Sequence, residues 1–95
     1  MDAEAIIQFL RANQNEITER FFVGRIGLFG STRHAANRED SDIDILVEMG
    51  QPTFDHYMDL KFYLEAHLGR SVDLVLADTV KPRLRSRIAD EVVYA

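Results

Sequence analysis

Residues 42–48 read DIDILVE, and polar and apolar side chains alternate along this stretch. Every second residue from position 43 is branched and apolar, while the other series begins with the acidic pair Asp42 and Asp44. A period of two predicts a β-strand with one buried face. Residues two apart on a strand project from the same face with Cα atoms roughly 6.5–7 Å apart, so both carboxylates should lie together on the other face.

The sequence on either side predicts the order α-β-α-β-α-β-α. In the first half we expect a helix over 2–22 with a break at 13–15 and a turn after it at Gly24, then a strand over 23–29. A turn at 30–32 and a short helix over 33–40 lead to the strand that contains Asp42 and Asp44. In the second half we expect a helix over 53–68, capped by Thr53 and ended by Gly69, a strand over 72–76 and a helix over 80–93. This order predicts one α/β (α+β) domain over 1–95, with a small mixed three-stranded sheet and about four helices.

Composition narrows the function class. With 95 residues, no cysteine and a net charge of −5, the chain is expected to contain no disulfide, thiol nucleophile or cysteine-based zinc site. The acidic balance argues against direct nucleic-acid binding. No apolar run approaches the roughly 20 residues of a membrane span, and the acidic start lacks the features of a signal peptide. We therefore expect a cytoplasmic protein without membrane association.

The chemically informative residues are Gly30-Ser31, followed after ten residues by Asp42 and Asp44, with Asp73 on the next predicted strand. Carboxylates crowded on one face repel each other unless a cation neutralises them. Mg²⁺ prefers such oxygen ligands and shares them with substrate phosphates. This spacing favours a metal-assisted phosphoryl-transfer site formed by Asp42, Asp44 and Asp73.

The turn at Gly30 and Ser31 supplies groups that can bind an anion. Glycine lets the backbone approach a phosphate closely, and the N–H groups of a strand-to-helix turn point towards the anion. The Ser31 hydroxyl can donate to a phosphate oxygen. Arg33, just inside the following predicted helix, would add positive charge or hold the loop. These three residues are the predicted phosphate-binding set, and the resemblance given below makes the phosphate that of a nucleotide.

The complete pattern resembles the minimal nucleotidyltransferase (MNT) family of the DNA-polymerase-β-like nucleotidyltransferase superfamily. The resemblance covers nearly the whole chain, and it includes the segments 28–31, 41–44, 57–61, 72–75, 81–84 and 93–94. It implies that Asp42 and Asp44 bind two Mg²⁺ ions, and that Asp73 completes the metal site and helps to activate the acceptor hydroxyl. It also implies that Gly30 and Ser31 hold the triphosphate of the substrate, with ATP the expected nucleotide.

The resemblance further implies a role in a toxin–antitoxin pair. Members of the MNT family commonly accompany a HEPN-domain RNase toxin in a hetero-oligomer and transfer AMP to a toxin tyrosine. The expected function is therefore protein adenylylation (AMPylation) by an antitoxin. The alternative is a non-catalytic antitoxin that masks its HEPN partner sterically. Transfer to a small molecule such as an aminoglycoside is a weaker alternative, because a drug pocket needs walls that a second domain would supply.

Two surfaces have open interpretations. The predicted helix over 53–68 has a second apolar stripe at Phe54, Met58 and Phe62, which either the first helix covers or a partner contacts. We favour coverage by the first helix. The closing helix carries arginines two residues apart, at 83, 85 and 87, which spread around its axis. This spacing favours a solvated surface, and the alternative is a contact with an acidic partner or with RNA. Tyr94 is interpreted as a residue that packs at the end of that helix.

Overall fold

The computed structural model describes residues 2–30 and 42–95. The helices in these residues are α1 (Ala3–Ala12), α2 (Gln14–Phe21), α3 (Phe54–Leu68) and α4 (Pro82–Glu91), and the strands are β1 (Val23–Leu28), β2 (Ile43–Met49), β3 (Val72–Leu76) and β4 (Val93–Tyr94). A short 3₁₀ helix (Ala77–Thr79) precedes α4. The predicted turn at 31–32 and short helix over 33–40 lie outside the described residues. None of the helices in the described ranges is long and apolar enough to cross a bilayer.

The strands form one mixed sheet in the order β3-β2-β1-β4. Strand β2 is antiparallel to β1 and parallel to β3, and β1 is antiparallel to β4. The predicted mixed sheet with flanking helices is confirmed, but it has four strands in the described residues and not three. The prediction of a helix to residue 93 is wrong, because α4 ends at Glu91 and the chain then becomes extended. Tyr94 accordingly belongs to β4 and not to a helix end.

The backbone of β4 lies unusually close to Gly27. A Cβ atom added at Gly27 would lie 2.6 Å from the Val93 carbonyl oxygen and 2.9 Å from the Tyr94 Cα atom. The Ala95 N–H then donates to the Ile26 carbonyl at 2.9 Å. The absence of a side chain at Gly27 thus allows the β4 backbone to pair with β1. Because β4 has only two residues, it produces no periodic pattern in the sequence.

One face of the sheet forms the core together with α1, α2 and α3. The alternating residues Ile43, Ile45 and Val47 of β2 are fully buried, as the period of two predicted. Leu60 and Leu64 of α3 are also fully buried within the same hydrophobic cluster. Burying each such side chain stabilises the fold by about 1.5–3 kcal/mol relative to leaving it exposed. The core therefore fixes which residues of β2 face the helices and leaves Asp44 on the opposite face.

Helix α3 begins and ends as predicted. The Thr53 hydroxyl accepts a hydrogen bond from the His56 N–H at 3.1 Å, which satisfies one of the free donors of the first turn. Gly69 ends the helix with a positive φ of 69°, a conformation that glycine adopts without a steric penalty. The Tyr57 hydroxyl donates to the Leu74 carbonyl at 2.6 Å and so joins the helix to β3.

The N-terminal helical segment breaks at Asn13, as predicted. The side-chain amide of Asn13 donates to the Phe9 carbonyl at 2.9 Å. The turn that follows α2 is not at Gly24. It is at Phe22, which has a left-handed conformation with φ 59°, and Gly24 lies within β1. An asparagine or glycine usually marks such a position, so an aromatic residue gave no sequence signal for this turn.

Two residues of the second apolar stripe of α3, Phe54 and Phe62, stay exposed, contrary to the interpretation that we favoured, whereas Met58 is half-buried. The rings of Phe9 and Phe21, from α1 and α2, pack against Tyr63 instead, with ring centroids 6.4 and 5.2 Å away. Phe54 remains 75% exposed and Phe62 remains 57% exposed. The N-terminal helices thus pack on a neighbouring side of α3 and leave both phenylalanines at the surface.

The close approach at Gly27 predicts a specific loss of stability. We expect Gly27→Ala to lower the free energy of unfolding by about 1–3 kcal/mol, because the new methyl group must displace the β4 backbone. Gly24→Ala is the matched control in the same strand, since its Cβ would meet no atom closer than 3.7 Å. Urea unfolding followed by circular dichroism measures both. Equal stability of the two variants would contradict the assigned role of Gly27.

Candidate functional site

Two of the predicted carboxylates face each other across β2 and β3. Asp44 and Asp73 are direct partners in the parallel register of these strands, and adjacent strands lie about 4.8 Å apart. Asp73 is exposed and Asp44 is half-buried, while their neighbours Ile45 and Leu74 point into the core. The same alternation that buries the apolar residues therefore places both carboxylates on the face opposite α3.

Asp42 occupies a different position relative to this pair. It immediately precedes β2, two residues before Asp44, and is exposed. It does not line the groove that contains Asp44 and Asp73. Over residues 2–30 and 42–95, no three histidine or acidic side chains are close enough together to form a metal-binding cluster. The described structure thus brings together two of the three predicted ligands.

Gly30 lies directly against the Asp44 carboxylate. It has a positive φ of 65°, and a Cβ atom at this position would be 3.0 Å from Asp44 Oδ2. The preceding Phe29 N–H donates to the Asp44 carbonyl at 3.2 Å, which holds the end of β1 beside β2. Both the backbone conformation and the available space favour glycine here. The other predicted nucleotide-binding residues, Ser31 and Arg33, lie outside the described residues.

A groove of about 420 Å³ contains the two carboxylates. The 3₁₀ helix and the start of α4 form its far side, and its lining residues are Phe29, Asp44, Asp73, Val75, Thr79, Val80, Lys81, Arg83, Leu84 and Ile88. Acidic side chains from the sheet and basic side chains from the α4 region therefore border one space. Neither Lys81 nor Arg83 was predicted as a site residue. The available signal was their position, eight and ten residues after Asp73, at the start of the helix that follows its strand.

The remaining arginines of α4 have other contacts. Arg85 donates from Nε to the Val80 carbonyl at 3.0 Å, and this contact holds the segment before the helix. Arg87 lies 3.8 Å from Glu91 in an exposed ion pair. The prediction of a solvated arginine face therefore describes Arg87, whereas Arg83 lines the groove.

A second cavity, of about 400 Å³, lies on the same side of the sheet and shares Val80 and Ile88 with the groove. Arg25 Nη2 lies 2.7 Å from Glu48 Oε2 at its edge. The hydrogen bond with Glu48 raises the pKa of Arg25. The guanidinium carbon also lies 4.3 Å from the centroid of the Tyr94 ring, a cation–π contact that connects β1 to β4. These contacts stabilise the sheet edge beside the groove.

Comparisons with known proteins identify similar chains. The chain is 42% identical over 92 residues to the protein adenylyltransferase MntA of Thermococcus cleftensis, covering 96% of this chain and 93% of the relative. A solved structure assigned to the minimal nucleotidyltransferases superposes with a TM-score of 0.76 at 35% identity, over 98% of this chain and 95% of that chain.

A more distant structure shows the same fold in a complex. The MNT antitoxin bound to a tri-AMPylated HEPN toxin of Shewanella oneidensis gives a TM-score of 0.64 at 22% identity, over 92% of this chain and 69% of that chain. The profile of the family described as "Nucleotidyltransferase domain" matches residues 7–95, which include Gly30 and all three predicted carboxylates. This match and the 42% identical relative show that the chain belongs to the nucleotidyltransferase domain family, as its resemblance to the minimal nucleotidyltransferases predicted.

Proposed function

We propose that this chain transfers AMP from ATP to a hydroxyl group, most specifically a tyrosine, of a HEPN-domain toxin and thereby acts as its antitoxin. The observation that carries the proposal is the Asp44–Asp73 pair on adjacent strands, with Gly30 against Asp44, in a chain 42% identical to a protein adenylyltransferase. A structural neighbour that contains an AMPylated HEPN toxin supports the choice of partner.

The donor set fits magnesium. Asp44 and Asp73 contribute only oxygen atoms and border one groove, and Asp42 is two residues away on the same polypeptide. Mg²⁺ favours such carboxylates together with substrate phosphates. We propose that these three residues hold two Mg²⁺ ions. When bound, the ions would supply positive charge to the attacking and leaving oxygens of an in-line displacement.

The remaining chemistry belongs to the substrates and to this chain. The acceptor oxygen forms a bond to the α-phosphorus of ATP, and the bond from that phosphorus to the bridging oxygen of the β-phosphate breaks. Pyrophosphate leaves with the electron pair of the broken bond, and the hydroxyl proton passes to a carboxylate, for which we propose Asp73. Gly30 and Ser31 orient the triphosphate, because backbone N–H groups at a turn bind anions. Arg33 adds positive charge there or holds the loop.

Removing the carboxylates should abolish transfer without unfolding the protein. We expect Asp44→Asn and Asp73→Asn to lower the rate of AMP transfer at least about a hundredfold, because each removes a charge from the groove. Chelation of Mg²⁺ should have the same effect. The measurement is transfer of α-labelled AMP from ATP to the purified HEPN partner, with the modified residue located by mass spectrometry.

The matched control is Asp59→Asn, an exposed aspartate on α3, on the opposite side of the sheet. It removes the same charge and should leave transfer unchanged. Full activity of Asp44→Asn, or of the chelated protein, would contradict the metal-assisted mechanism. The single variant Asp42→Asn, measured beside Asp44→Asn, tests whether Asp42 contributes to transfer.

Substitution of Gly30 gives a second test, which separates an effect on the Asp44 carboxylate from the effect of backbone strain. Gly30 and Gly69 both have a positive φ, so replacing either with alanine should destabilise the fold by about 1 kcal/mol. Only at Gly30 does the new methyl group meet the Asp44 carboxylate, since nothing lies within 4 Å of the Gly69 position. We expect Gly30→Ala to lose transfer and Gly69→Ala to retain it. Equal activities would show that Gly30 has no role beyond the turn.

A binding antitoxin remains a second candidate because of the exposed stripe on α3. Phe54 and Phe62 expose 75% and 57% of their surface, and exposed aromatic residues are typical of protein interfaces. If masking alone neutralises the toxin, the Asp44→Asn variant still protects cells, whereas the double variant Phe54→Ala/Phe62→Ala does not.

The two mechanisms give opposite results in a growth-rescue assay. For the adenylyltransferase we expect Asp44→Asn to lose protection while still forming a complex with the toxin. Arg87→Ala, at an exposed position of α4 outside the groove lining, is the control for surface changes. Protection by Asp44→Asn at wild-type levels would contradict catalytic neutralisation.

A further inference from the structure

Lys81 and Arg83 form a basic wall opposite the carboxylates of the groove. Both are exposed, and both line the same space as Asp44 and Asp73. Within the described residues, neither side chain forms an ion pair or a hydrogen bond. Arg85 and Arg87 differ in this respect, because one holds backbone carbonyls and the other pairs with Glu91. The two groove cations are therefore available to a ligand.

The separation of charge across the groove indicates what this ligand is. Lys81 and Arg83 border the groove together with two carboxylates, yet they do not pair with them. A ligand that contacts both sides of the groove places its negative charge beside Lys81 and Arg83. Its other end is linked to the two carboxylates through divalent metal ions. The triphosphate of a nucleotide has this distribution, and arginine and lysine are strong donors to phosphate oxygens.

We infer that Lys81 and Arg83 bind the β- and γ-phosphates of the nucleotide and stabilise the departing pyrophosphate. This inference rests on the proposed function, in which the α-phosphorus is attacked and pyrophosphate leaves with the electron pair. Negative charge then accumulates on the group that these side chains contact. Their loss should therefore weaken ATP binding and also slow the transfer step.

Comparing ATP with AMP isolates the contact, because AMP lacks both distal phosphates. The variants are Lys81→Gln, Arg83→Gln and the double variant. Arg87→Gln is the matched control, with the same change of charge on the same helix but outside the groove lining. Binding of ATP and of AMP to the full chain is measured in the presence of Mg²⁺ by competition with a fluorescent ATP analogue. KM for ATP and kcat are measured in the transfer assay.

We expect each groove substitution to weaken ATP binding about tenfold and to leave AMP binding within about twofold of wild type, since one charged contact is lost. Lys81→Arg should restore most of the ATP affinity. Arg87→Gln should bind both nucleotides as the wild type does. The groove variants should also show a higher KM for ATP together with a lower kcat.

Three other results would overturn the assignment. Unchanged ATP affinity in the double variant would exclude contact with the distal phosphates. An equal loss of ATP and AMP affinity would show a general effect on the site. Normal ATP binding with a lost HEPN complex would assign these cations to the protein partner. By contrast, a wild-type chain that binds no ATP even beside its HEPN partner would overturn the proposed function itself.

Discussion

The parallel pairing of β2 with β3 is the constraint on which the site depends. It places Asp44 beside Asp73, and the buried residues between the polar ones fix which way both carboxylates point. A slip of one residue would turn Asp44 into the hydrophobic core and move both Ile43 and Ile45 out of it, because side chains alternate along a strand. The burial of these isoleucines therefore stabilises the fold and also fixes the face on which Asp44 lies.

The groove combines groups that come from opposite ends of the chain. Gly30 follows β1 and contacts Asp44, whereas Lys81 and Arg83 follow β3 across the space. A Cβ atom at Gly30 would lie 3.0 Å from the Asp44 carboxylate, so a side chain there would press against that carboxylate. Arg85, which donates to the Val80 carbonyl, holds the segment from which Lys81 projects. The position of Lys81 thus depends on a contact of the Arg85 side chain, which a substitution at Arg87 leaves in place.

Much of this structure is predictable from the sequence because it depends on local patterns. The alternation at 42–48 predicted β2 and its buried face, and Thr53 and Gly69 predicted both ends of α3. Strand β4 was missed because two residues have no period, and its position depends on the space at Gly27, which only the folded chain reveals. The turn at Phe22 was missed because an aromatic residue adopts a conformation that normally favours glycine.

The same distinction applies to the site. The spacing of Asp42, Asp44 and Asp73 along the sequence predicted a group of carboxylates, and the pairing of β2 with β3 explains why Asp44 and Asp73 lie side by side. Lys81 and Arg83 gave no comparable signal, since a basic residue at the start of a helix usually lies in solvent. Only the return of the chain from β3 over the face that bears Asp44 shows that these two residues border the groove while Arg87 does not.

The groove of the proposed reaction and the exposed stripe of α3 lie on opposite faces of the molecule. The carboxylates and the groove cations lie on one side of the sheet, whereas Phe54 and Phe62 lie on α3, which packs on the other side. A partner held only by the α3 stripe would therefore not cover the groove, and one that presents a hydroxyl to the α-phosphate must also reach the carboxylate face. Under the proposed function, a toxin that satisfies both requirements either extends around the sheet edge or meets the two faces on different copies of the chain. The second arrangement needs more than one copy of this chain in each complex, because the copy that holds the toxin would not be the copy that modifies it.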